Sequence, residues 1–157
     1  MVTAFAQGAP ERSQLLARYV LSNPTSAPRD YALALAVRPL QVNPPSQFLN
    51  TSGGFSRIDA LAFNGADVVV PGAPRLHALA LPDVAFATPF DAGEVVEHLA
   101  AGTLPTARNT IDPTGLASGA WLYRVHLAPG ESREIAWIAP LTGALPDGAV
   151  DPVAAQA

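Results

Sequence analysis

"WLYRVHLAPGESREIAW", residues 121–137, carries the strongest period-two signal in the chain. Trp121, Tyr123, Val125 and Leu127 fall on one side of an extended segment, and Leu122, Arg124 and His126 on the other. "APGE" supplies a four-residue turn, after which Ile135 and Trp137 resume the apolar spacing on a returning segment. The expectation is a β-hairpin, and around it an all-β protein.

Working outward, Gln14–Asn23 and Tyr31–Val37 read as two further strands joined by the turn-rich "SNPTSAPRD". In the second, Tyr31, Leu33, Leu35 and Val37 share one face and Ala32, Ala34 and Ala36 the other, so the large side chains point inward. The alanine face admits either a closely approaching layer or plain sheet surface. Ile58–Phe63, Val68–Val70 and Leu76–Leu81 are short apolar runs punctuated by "NGAD" and "PGAPR", as in a meander of short strands. One segment, Phe90–Gly102, reads as a short helix. Asp91 is placed as its N-cap, Glu94 completes a capping box, Phe90 and Val95 form a staple, and Gly102 ends it. Beyond Leu141 periodicity is lost.

Many short strands and one brief helix define the expected fold: an all-β, antiparallel β-sandwich. Residues 1–13 form an N-terminal segment, 14–143 the sandwich, and 144–157 a linker or disordered tail that fades out as if cut from a longer polypeptide. At 157 residues such a chain buries about 70% of its unfolded surface, enough for one real core.

Composition narrows function. The net charge is −4 and all nine basic residues are arginines without a cluster, which leaves no footprint for a phosphate backbone and excludes nucleic acid as the expected partner. There is no cysteine, hence no disulfide framework, thiolate zinc site or thiol nucleophile. No apolar run approaches the roughly 20 residues that span a bilayer as a helix, so no membrane partner is expected.

Glycosidic hydrolysis commonly uses two carboxyl groups about 5 to 9.5 Å apart. Asp91, Glu94, Glu97 and His98 form the densest acid cluster, with Glu94 and His98 one helical turn apart, but capping already accounts for Asp91 and Glu94. His77 and His126 stand alone in strands and read as surface or hydrogen-bonded residues. Ser56 and Ser118 lie near glycines without a nucleophile motif. "TSGGFS" lacks the spacing of a phosphate loop, and "NTS" at Asn50 matches a glycosylation acceptor as chance would. No catalytic residue, metal site or cofactor is expected.

The remaining feature is "RPLQVNPPSQFLNTSGGFS", Arg38–Ser56. It contains no acid; from Tyr31 through Ile58 there is neither Asp nor Glu. Its candidate binding or domain-interface residues are Arg38, Gln41, Asn43, Gln47, Phe48 and Asn50. Amides and a guanidinium pair with vicinal hydroxyls while an aromatic ring covers a sugar's C–H face, so carbohydrate is one partner these groups suit. The other reading is an ordered loop stiffened by Pro39, Pro44 and Pro45, its amides satisfying its own backbone and Phe48 and Leu49 tucked beneath.

The series from Arg18 to Ile58, "RYVLSNPTSAPRDYALALAVRPLQVNPPSQFLNTSGGFSRI", with "FDAGEVVEHLAAGTLP", "DPTGLASGAWLYRVHLAPGES" and "APLTG", resembles a domain of large bacterial polypeptides. These are labelled discoidin or coagulation-factor-5/8-type proteins and carry a six-hairpin glycosidase-like region. The resemblance spans residues 14–143 and is most specific at "RPLQVNPPSQFLN". It implies the supersandwich-like domain that accompanies an (α/α)6 barrel in glucoamylase-like and glycoside-phosphorylase-like enzymes. The general acid and base are then expected on the barrel; no position here matches them, and the discoidin label fits no pattern in this chain.

The resemblance favours a non-catalytic domain of a carbohydrate-active protein, with the adjacent domain of the same polypeptide as partner and Arg38–Ser56 as the joint. Two rivals remain: a free-standing carbohydrate-binding module, and an Ig-like adhesion or assembly domain that offers an open edge strand.

Overall fold

The computed structural model describes residues 1–40 and 56–142. In chain order the strands are β1 (Val2–Gln7), β2 (Gln14–Ser22), β3 (Arg29–Val37), β4 (Ala60–Asn64), β5 (Asp67–Val69), β6 (Leu76–Ala78) and β7 (Val84–Thr88). Helix α1 (Val95–Ala101) follows, then β8 (Asn109–Ile111), β9 (Ser118–Leu127) and β10 (Ser132–Pro140). They form an antiparallel β-sandwich with one short helix. A seven-stranded sheet, ordered β1-β2-β10-β6-β5-β4-β8, faces a three-stranded sheet, β3-β9-β7.

Alternation places the core. Leu33, Leu35 and Val37 of β3 and Trp121, Tyr123 and Val125 of β9 meet Tyr19, Leu21, Ile135, Trp137, Leu61 and Phe63 of the larger sheet. The rings of Phe63 and Trp121 meet edge to face at 6.0 Å, bridging the two sheets. The large residues of β3 therefore point inward, as period two requires. On the opposite face of the small sheet, α1 adds a partial third layer: Val95, Leu99 and Leu104 pack on Val84, Phe86 and Ala120.

One connection differs from expectation. β9 and β10 are not a hairpin: β9 pairs with β3 and β7, whereas β10 pairs with β2 and β6. The "APGE" turn is an arch that carries the chain from one sheet to the other. A second arch, Asn23–Pro28, carries β2 to β3 alongside it, so Trp121 and Trp137 enter the same core from different sheets.

Asn23 joins the two arches. Fully buried, it donates its backbone N–H to the Glu131 carbonyl (2.9 Å) and accepts from the Gly130 N–H (2.9 Å). Its side-chain amide donates to the carbonyls of Ala27 (2.8 Å) and Leu127 (3.0 Å), and its Oδ1 accepts from the Thr25 N–H and hydroxyl. These bonds tie the turn after β9 to the end of β2. Without them the buried side-chain amide would be unpaired, at a cost of about 1–3 kcal/mol.

The helix starts later than its sequence signals. Phe90–Ala92 is a single 3-10 turn, Gly93 breaks it at φ 99°, and α1 begins after Glu94. The capping box is Glu94 with Glu97, whose carboxylate accepts the Glu94 N–H at 3.0 Å; Asp91 is not the N-cap. Gly102 ends the helix in the left-handed region as expected.

The N-terminal segment contributes a strand the sequence did not announce. β1 pairs with β2 from Val2 opposite Tyr19 to Gln7 opposite Gln14. At the far end Leu141 and Thr142 donate their backbone N–H groups to the Ser13 carbonyl. Residues 143–157 lie outside the described residues.

Candidate interaction site at Arg38 and helix α1

Arg38 follows directly on β3, and its guanidinium contacts the Glu94 carboxylate at 2.9 Å. Ser56 donates its N–H to the Leu40 carbonyl at 3.4 Å. Arg38 thus fastens the end of β3 to the cap of α1. Of the other candidate residues, Gln41, Asn43, Gln47, Phe48 and Asn50 lie outside the described residues.

Side chains from the ends of three strands converge on this helix. Ser118, the first residue of β9 and fully buried, accepts the Val95 N–H at 3.0 Å, which accounts for its place beside a glycine better than nucleophilic chemistry does. Asp112, just past β8, accepts the Phe90 N–H at 2.8 Å and also the N–H and hydroxyl of Thr114. Thr88 at the end of β7 donates to the Gly93 carbonyl at 3.0 Å. Ser118 drew notice in the sequence only for its glycine neighbour and Thr88 not at all, while "DPT" at Asp112–Thr114 does carry the pattern of an Asx turn.

The hydrogen bond from the Thr114 hydroxyl, and next that from the Phe90 N–H, hold the Asp112 carboxyl below its ordinary pKa of 3.8. A depressed pKa means the charged form belongs to the folded state. The stability it contributes is complete above pH 3.8 and is lost as pH falls through the folded value. Asp112→Asn should therefore unfold more easily in urea at neutral pH, and should lose less stability than the native chain on going to acid pH. Equal losses would contradict this origin of acid sensitivity. Tyr123 lies at the other extreme: burial, then the charge of Asp83, push its hydroxyl up to about 12, and it donates to the Ala80 carbonyl at 3.1 Å.

The acid and histidine cluster does not converge. Glu94 faces Arg38 and Glu97 the Glu94 N–H. His98 Nδ1 lies 3.1 Å from the Thr103 carbonyl and Nε2 3.4 Å from Thr88 Oγ1. His77 and His126 are hydrogen-bonded to Asp67 and Asp30, each at 2.8 Å. Among the described residues no group of three or more His, Cys, Asp or Glu side chains could hold a metal ion.

Leu40, Phe90 and Val96, each within a few residues of the ion pair along the chain, are 64%, 51% and 46% exposed. Elsewhere, a shallow groove of about 600 Å³ on the outer face of β4, β5 and β8, lined by Ala60, Ala62, Val69, Pro71 and Ile111, has no titratable side chain in its wall.

Fold and site together define a β-sandwich domain whose acids serve as caps and whose most distinctive surface is a salt-bridged apolar patch. No family model matches the chain, and no curated protein sequence matches it.

Proposed function

We propose that this chain is a non-catalytic β-sandwich domain of a carbohydrate-active, glycoside-hydrolase-like protein, docking on an adjacent (α/α)6 barrel through the patch around Arg38. The Arg38–Glu94 contact carries this reading, because it fixes the base of an acid-free, amide-rich segment beside exposed Leu40, Phe90 and Val96. The resemblance of residues 14–143 to sandwich domains beside glycosidase-like barrels supplies the partner. Carboxylates committed to the Phe90 N–H (Asp112), the Glu94 N–H (Glu97) and Arg38 (Glu94) are poorly placed to act as an acid and base pair, and the bond-breaking groups are assigned to the barrel.

In the longer polypeptide this reading calls for, backbone amides of Leu40 and Phe90–Val96 exchange more slowly than in the chain alone. Arg38→Ala should abolish most of that protection. Its effect on the isolated chain is small, about 0.5 kcal/mol or less, because the pair is partly exposed and screened. The isolated chain should turn over no aryl glycoside. Turnover by purified chain, lost on mutating its own carboxylates, would refute the reading. Micromolar glycan binding measured by calorimetry and lost in Phe48→Ala would instead make it a free-standing binding module.

A further inference from the structure

We infer that β3 is a self-pairing edge, and that a second copy of this chain adds its own β3 antiparallel to it, with Ala34 opposite Ala34. Four observations lead there.

β3 is the longest edge strand among the described residues: it spans nine residues, against six for β1, five for β7 and three for β8. It pairs with β9 without a bulge from Arg29 opposite Leu127 to Val37 opposite Gly119, and no described residue pairs with its other side. Tyr31–Val37 holds no charge or proline, the usual devices that stop an edge from pairing.

A cleft of about 250 Å³ runs along this edge. Its wall includes Leu33, Ala34, Leu35, Ala36 and Val37 in sequence, residues of both faces, which only the backbone edge of a strand presents together. Opposite lie Tyr19 and Trp137 of the larger sheet. Trp121, whose buried indole N–H has no acceptor among the described residues, also lines it.

Among the described residues, nothing covers the larger sheet where it extends past β3. Val2, Ala4 and Ala6 share a face with Tyr19, Ala17 and Leu15 by register, yet all three are exposed. One more strand beside β3 would lie over them and lengthen the smaller sheet.

The occupant follows from charge. Pairing centred on Ala34 sets Asp30 opposite Arg38 of the second copy, twice across the two-fold axis, with Ala32 opposite Ala36 on the same face. On the inner face Tyr31 meets Val37 and Leu33 meets Leu35. Shifting the centre by one residue, to Leu33, pairs Asp30 with Ala36 and Arg38 with Pro28 and loses both ion pairs. The Asp30 side chain is 88% exposed and its one partner among the described residues is His126. The Arg38 fork has donors beyond those facing Glu94. Such isologous pairing makes one continuous six-stranded sheet from two three-stranded ones.

Sedimentation equilibrium of the full chain tests this. The native chain is expected to be a dimer. Ala32 and Ala36 are exposed, so charges there leave the fold intact, which near-UV circular dichroism verifies. A32K/A36K places lysine opposite lysine twice and should weaken dimerisation by about tenfold or more. A32K/A36E places lysine opposite glutamate twice, in this register alone, and should restore the dimer. A native chain that stays monomeric overturns the proposal. If the outward amides of Ala32–Val37 are then protected from exchange, another part of the same chain covers the edge; if they are not, the edge is bare. A dimer indifferent to both variants overturns the register and the surface.

Discussion

Asn23→Leu should lower the unfolding free energy by about 3 kcal/mol, enough to shift the melting temperature by roughly 10 °C. The substitution keeps the backbone bonds to Glu131 and Gly130 but strips the Leu127 carbonyl of its side-chain donor and leaves the Ala27 carbonyl only the Thr25 hydroxyl. It also removes the acceptor shared by Thr25 and, at 3.3 Å, the Tyr31 hydroxyl. The Leu127 bond is fully buried, and an orphaned buried carbonyl costs about 1–3 kcal/mol by itself. The remaining bonds are partly exposed and each contributes less. Asn23→Asp keeps the acceptor and removes both donors, so it separates the two halves of the network. Urea unfolding of both variants provides the measurement. A loss under about 1 kcal/mol in Asn23→Leu would mean that the two arches are held by strand pairing and not by this side chain.

Gly119→Ala should destabilise by about 2 to 3 kcal/mol, where strand propensity alone would predict a gain of about 0.5–1 kcal/mol. Gly119 sits in β9 between Val37 of β3 and Ala87 of β7. A Cβ there would overlap the Phe86 carbonyl oxygen, stand 2.6 Å from the Phe63 ring and lie 3.1 Å from the Ala87 Cα. Two of those neighbours are strand backbone, so relief requires pulling β7 from β9 or displacing Phe63 from Trp121. The sign of the measured change decides between close approach and propensity; a stabilised variant would show that the strands can part without loss.

Arg38 was readable as an interface candidate because a lone guanidinium opens an acid-free, proline-broken segment; its partner was not. Glu94 comes from a helix more than fifty residues away in a different layer. The residues that fasten that helix were hidden for the same reason. Ser118 and Thr88 are ordinary strand residues until folding brings them to Val95 and Gly93. Asp91–Glu94 and Glu94–Glu97 offer the same three-residue spacing, and residue type favours Asp91 as the cap. Gly93 and the long-range bonds from Asp112 and Ser118 selected the second pair.

The sequence by itself determined that this is an all-β chain with one short helix, which segments are its main strands, and which of their faces is buried. Those features follow from the two-residue repeat of extended backbone, a local property. Only the tertiary structure decided which strand lies beside which. An arch and a hairpin both reverse the chain with the same alternation of side chains, so residues 121–137 read alike for either. The difference arises from hydrogen bonds between Asn23 and residues more than a hundred positions away, and from pairings of β9 with β3 and β10 with β2 that no local pattern contains.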